Sequence, residues 1–177
     1  MSTDQRYRML ALAGRVRMLG EQATRAAVGP ADLAICEPAE SRFDAPPDDA
    51  AWQPMSVGEE WGGKQQWTYF KAALTVPDDW KGGVVELCLT PGIRYLEAAR
   101  DDQFPAGPEG QVFVDGKRVG AIDRQHDRIR HPFKPGRTYD VRAVFFAARC
   151  ACRHRLDRFE LAWVDEPARR LAADLHV

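Results

Sequence analysis

The stretch EGQVFVDGKRVG, residues 109–120, reads as a β-hairpin. Val112, Phe113 and Val114 are β-prone, and Lys117, Arg118 and Val119 begin a return strand. Between them Asp115-Gly116 supplies the two positive-φ positions that a type I′ turn requires. Outward from this hairpin the pattern repeats. Tyr69–Val76, Val84–Thr90, Gln111–Val114, Arg118–Ile122, Thr138–Phe146 and Arg158–Val164 are short runs rich in aromatic or β-branched residues. Turn chemistry separates them at Pro77-Asp78-Asp79, Gly82-Gly83, Asp115-Gly116 and Pro135-Gly136. Short strands without intervening helices predict a mainly β protein, a β-sandwich of jelly-roll or galactose-binding-like type.

The flanks differ in character. Met9, Leu12, Val16 and Leu19 recur at spacings of three and four, which predicts a helix from Thr3 to about Leu19 with one apolar stripe. Gly29-Pro30 ends any continuation, so residues 1–29 form an N-terminal helical segment. Residues 30–60, rich in Pro, Ala and Asp, read as an extended arm, and 61–166 as the sandwich. Pro91–Glu109 is a long Pro- and Gly-bearing excursion inside it. Residues 167–177, with Pro167 in the first turn, read as the start of a linker helix to an absent catalytic domain.

Composition bounds the function. The 177 residues are one domain, or one domain with an arm, and can bury a core without staples. The net charge of −1 argues against a dedicated nucleic-acid or polybasic membrane binder. No apolar stretch approaches the ~20 residues of a membrane span, and Arg6, Arg8, Arg15 and Arg17 interrupt any signal-peptide core. A cytoplasmic location is expected. Cys36, Cys88, Cys150 and Cys152 form no CxxC pair, so neither a disulfide framework nor a paired-cysteine metal site is expected.

Candidate chemistry is sparse. His126, His131, His154 and His176 are scattered, and Cys150-Ala-Cys152 is spaced too tightly for ordinary zinc chelation. A small metal- or thiol-dependent enzyme built on Cys150, Cys152 and His154 is the weakest reading. Serine occurs only at positions 2, 41 and 56, outside any Gly-x-Ser-x-Gly elbow. The four arginines between Arg149 and Arg158, with His154, read as a solvated turn ahead of an anion grip. Trp52, Trp61, Trp67 and Trp80 lie within thirty residues; core or interface plugging is the favoured role and stacking on sugar rings the alternative.

From Trp52 to Val177 the chain resembles the N-terminal β-sandwich region of α-mannosidases of glycoside hydrolase family 38. WQPMSVGEEWGG (52–63) is similar to that family's entry segment, QWTYF (66–70) through Val76-Pro77 to its first long strand, and KGGVVEL (81–87) to the next. The most specific stretch, EGQVFVDGKRVGAIDRQH (109–126), is similar to the family's EG-x-V-x-x-DG … G-x-D-x-x-H block. PGRTY (135–139) fits the following turn and strand, and RLAADL (170–175) resembles the helix before the catalytic barrel. The Pro91–Glu109 insertion departs from the family's shorter connection, and the first 50 residues match only loosely.

The resemblance implies a non-catalytic accessory domain of a zinc-dependent retaining α-mannosidase. Such a domain would pack on the catalytic domain of the same polypeptide or support a homo-oligomer. The family's His-x-Asp zinc motif has no counterpart here, so no catalytic or metal-ligating residue carries over; no cofactor is expected in this chain and zinc is expected in the catalytic domain. The alternative is a free-standing carbohydrate-binding module that takes a mannoside or another sugar. The candidates for sugar binding or interdomain contact are Trp61, Trp67, Asp123 and His126. Asp123 and His126 are also expected to hydrogen-bond each other locally and to fix the strand that follows.

Overall fold

The computed structural model describes residues 23–39, 44–92, 108–123, 126–147 and 153–174. In chain order the strands are β1 (Thr24–Val28), β2 (Leu33–Cys36), β3 (Gln53–Met55), β4 (Glu60–Trp61), β5 (Trp67–Thr75) and β6 (Val84–Thr90). They continue as β7 (Glu109–Val114), β8 (Lys117–Ile122), β9 (Arg128–Arg130), β10 (Thr138–Phe146), β11 (His154–Arg155) and β12 (Arg158–Val164). One helix, α1 (Glu166–Asp174), follows.

The strands form a four-stranded sheet in the order β1-β12-β6-β9 and a six-stranded sheet in the order β3-β2-β5-β10-β7-β8. A ribbon of β11 and β4 is separate from both. Every pairing is antiparallel. The protein is mainly β, as its alternation of apolar and polar residues dictates. β10 shows the cause: Val141, Ala143 and Phe145 point into the core, while Asp140 and Arg142 point out and pair with each other at 2.9 Å. The anchoring hairpin is β7–β8, with Asp115 at φ 50° and Gly116 at φ 75°, both positive as a type I′ turn needs.

Between the sheets lies one apolar core. Leu87, Leu89, Phe159 and Leu161 come from the smaller sheet, and Phe70, Leu74, Val112 and Phe145 from the larger. Each such fully buried side chain contributes about 1.5–3 kcal/mol. Trp61 seals one end, its ring edge-on to Phe70 at 5.1 Å, with its indole N–H donated to the Pro91 carbonyl at 2.8 Å. Edge strands are blunted by Pro54 in β3 and by Lys117 and Arg118 in β8.

Several boundaries differ from the sequence reading. Thr24–Val28, assigned to a helical segment, is a strand that pairs with β12. Leu33–Cys36 and Gln53–Met55, assigned to an arm, are strands of the six-stranded sheet. Among the described residues the sandwich therefore begins at Thr24, ahead of residue 61. These strands are short and Ala-rich or Pro-bearing, and pairing (β1 with β12, β2 with β5, β3 with β2) overrides weak local propensity. The helix expected over Thr3–Leu19, most of the Pro91–Glu109 excursion, Cys150, Cys152 and His176 lie outside the described residues. No helix among the described residues is long and apolar enough to cross a membrane.

Candidate functional site

The four nominated residues do not converge on one site. Trp61 is fully buried, among Phe70, Phe145 and His154. A ring without exposure cannot stack on a sugar or meet another domain, so Trp61 is a core residue and the platform reading fails for it. Its depth follows from the β4–β11 ribbon, which pairs Trp61 with His154 and presses both rings onto the end of the core.

Trp67 lies elsewhere. It starts β5 on the outer face of the six-stranded sheet, half-buried, with its ring 5.2 Å from Phe146. Register places Phe146 opposite Trp67 on one side and opposite Glu109 on the other. Glu109 starts β7, and the next pair along that strand is Gly110 with Ile122, the residue before Asp123. Trp67, Phe146 and Glu109 therefore sit on successive strands at one end of the sheet, with Asp123 just past the end of β8. With strands ~4.8 Å apart the row is about 14 Å long. Gln111 stands two residues along β7 from Glu109, and its buried side-chain oxygen has no hydrogen-bond partner among the described residues.

Asp123 and His126 close the turn after β8. Asp123 accepts the His126 backbone N–H at 2.8 Å, its carboxylate lies 3.0 Å from His126 Nδ1, and its own N–H donates to the His126 carbonyl at 3.1 Å. The chain then enters β9. The expected local bonding is present, and both side chains remain well exposed, at 45% for Asp123 and 72% for His126.

Above this row the outer face is covered. Trp52 packs 6.4 Å from Tyr69, and the loop before it is tied down by Arg142, which donates to the Pro46 carbonyl and to Asp48. The Arg142 guanidinium holds the Asp48 carboxyl below the usual carboxylate range. Chemically, the row combines an aromatic surface with carboxylate acceptors. That is a set for contacting the C–H face and hydroxyls of a polar ring, and it contains no nucleophile activated by a neighbouring base. Phe146, Glu109 and Gln111 were missed from the sequence, because only the β5–β10–β7 register brings them beside Trp67. No group of three or more His, Cys, Asp or Glu able to hold a metal exists among the described residues.

No protein-family profile matches the chain, and no curated protein matches it. Solved structures do match in fold. A β-glucuronidase from Ruminococcus gnavus in complex with D-glucuronic acid superposes with a TM-score of 0.53 at 11% identity, over 80% of this chain and 29% of that one. Another structure of Ruminococcus gnavus β-glucuronidase gives 0.52 at 10% identity, over 81% and 29%. A glycosyl hydrolase family 2 member from Bacteroides cellulosilyticus gives 0.50 at 8% identity, over 78% and 20%. At these identities the likeness is one of fold. This chain spans less than a third of each neighbour's length, and none of the three is described as an α-mannosidase.

Proposed function

We propose that this chain is a non-catalytic β-sandwich of a glycoside hydrolase, which packs on the catalytic domain of the same polypeptide. One observation carries the reading: about four-fifths of the chain superposes on glycosidases, yet fills under a third of them. A fold that accounts for most of this chain and a minor part of those enzymes is suited to an accessory role. Within that class, the ordered stretches from Trp52 to RLAADL favour a zinc-dependent retaining α-mannosidase of family 38, with zinc held by the catalytic domain. The fold of the neighbours favours family 2. A reading frame that continues past Val177 into a His-x-Asp motif supports the first assignment; a continuing frame with a paired-carboxylate barrel and no such motif supports the second. The purified 177-residue chain is expected to give no turnover of an aryl α-mannoside or aryl β-glucuronide, with or without zinc. Turnover that is lost on mutating one of its own carboxylates would overturn the accessory reading.

A second reading, a carbohydrate-binding module, is favoured by the row of Trp67, Phe146, Glu109 and Asp123. In that case Trp67→Ala abolishes retention on a mannan or glucuronan column while leaving the unfolding midpoint within 1 M urea of the parent, about 1–3 kcal/mol for a small protein. No retention of the parent chain on either column removes the module reading.

A further inference from the structure

Strand β6 is buried on both faces. Val85, Leu87 and Leu89 enter the core, while Glu86 and Cys88 point outward and are still fully buried. Helix α1 lies against this side, and Ala168 packs on a small cluster of Ala23, Cys88, Ala162 and Val164. A buried carboxylate persists only beside counter-charges. Glu86 has three. Arg130 Nε and Arg169 Nε each lie 3.1 Å from its Oε1, and an Arg128 terminal nitrogen lies 3.5 Å from its Oε2. Arg128 and Arg130 belong to β9 of the same sheet, whereas Arg169 is brought by the helix.

Two further pairs tie the start of α1 to the sheet. Glu166 accepts from Arg130 at 3.2 Å, and Asp165, whose carboxylate caps the Ala168 N–H at 3.2 Å, pairs with Arg25 of β1 at 2.5 Å. We infer that the buried Glu86 carboxylate is a latch that holds α1 on the four-stranded sheet through Arg169, and that α1 lifts as a unit over Cys88 when the latch is broken while the sandwich stays closed. Among the described side chains of α1, Ala168 packs on this cluster and Leu171 is 55% exposed. The device is independent of the glycosidase reading.

The chain carries its own gauge. Cys88 sits on the α1 side, and Cys36 is buried on the outer face of the opposite sheet with Tyr69, Phe113 and Val144. Alkylation of the full chain by iodoacetamide, followed peptide by peptide by mass spectrometry, separates these two from Cys150 and Cys152. In Glu86→Gln and in Arg169→Met, Cys88 is expected to label at least tenfold faster than in the parent, with the Cys36 rate unchanged. Equal acceleration at Cys36 and Cys88 means general loosening and overturns the latch, as does an unchanged Cys88 rate. If Glu86→Gln fails to fold, Arg169→Met decides alone, because it leaves Arg128 and Arg130 on Glu86.

Discussion

Gly83 lies directly against Trp163: a Cβ at this glycine would stand 2.0 Å from the indole Nε1. The half-buried ring is stacked on Trp80 at 6.1 Å with the Arg25 guanidinium 5.3 Å from its centre, so a shift away from Gly83 disturbs both contacts. Gly83→Ala is therefore expected to destabilise by about 1–3 kcal/mol through overpacking. Urea unfolding measures it, and a Trp163→Leu background should remove most of the loss. A loss that persists in that background would place the strain in the backbone instead.

Asp123→Ala removes the acceptor that holds the His126 N–H and ring. A lost hydrogen bond of this kind costs about 0.5–1.5 kcal/mol, and exposure puts the expectation at the lower end. His126→Ala keeps the backbone bond and should cost less. An unaltered midpoint for Asp123→Ala, together with weakened sugar retention, would move Asp123 from turn closure to ligand contact.

Cys88 gives the pH dependence on the alkaline side. Burial pushes its thiol from 9.0 up to about 11. Between those values the unfolded chain releases a proton that the folded chain keeps, so stability falls as pH rises through this window. The loss approaches about 2 kcal/mol by pH 11, with each pKa unit worth ~1.4 kcal/mol. It should be absent from the pH profile of Cys88→Ala. A parallel pH profile for the variant and the parent would show that Cys88 is not the group responsible.

On the acid side the helix should respond first. Arg25 and the Ala168 N–H hold the Asp165 carboxyl below its ordinary range, and Arg170 and Arg130 do the same for Glu166. Carboxyls depressed in the folded state stabilise it above their unfolded pKa, and that contribution disappears as pH falls through the folded value. Amide exchange in α1 should accelerate below about pH 4 while β5 and β10 stay protected. Simultaneous loss of protection in the sheets would contradict this.

The sequence made the sandwich legible where one strand carried its own signal. Val84–Thr90, Thr138–Phe146 and Arg158–Val164 match the structure residue for residue, because alternation and flanking turns delimit them. β1 to β3 were not legible, since TRAAV and LAIC become strands by pairing with β12 and β5 far along the chain, and QPM by pairing with LAIC. The expected helix after β12 starts at Glu166, one residue ahead of Pro167, with Asp165 as its cap. The candidate row was half visible. Trp67 and Asp123 stood out as residue types, but Phe146 and Glu109 join them only through register. Trp61 answers to the favoured core role and not to the sugar-stacking alternative, which stayed open because an aromatic in a Gly-rich stretch looks the same whether it faces solvent or plugs a core.

β1 and β12 lie side by side, pairing Thr24 with Val164 and Val28 with Leu161. A ribosome that makes this chain from its N-terminus must hold β1 without a partner until almost the whole sandwich has emerged. Closure is then a late, long-range event, of the kind that slows folding and leaves strand edges open meanwhile. A nascent chain arrested before residue 158 would present that unmatched edge to chaperones, and release of a few more residues would let the first strand dock against the last.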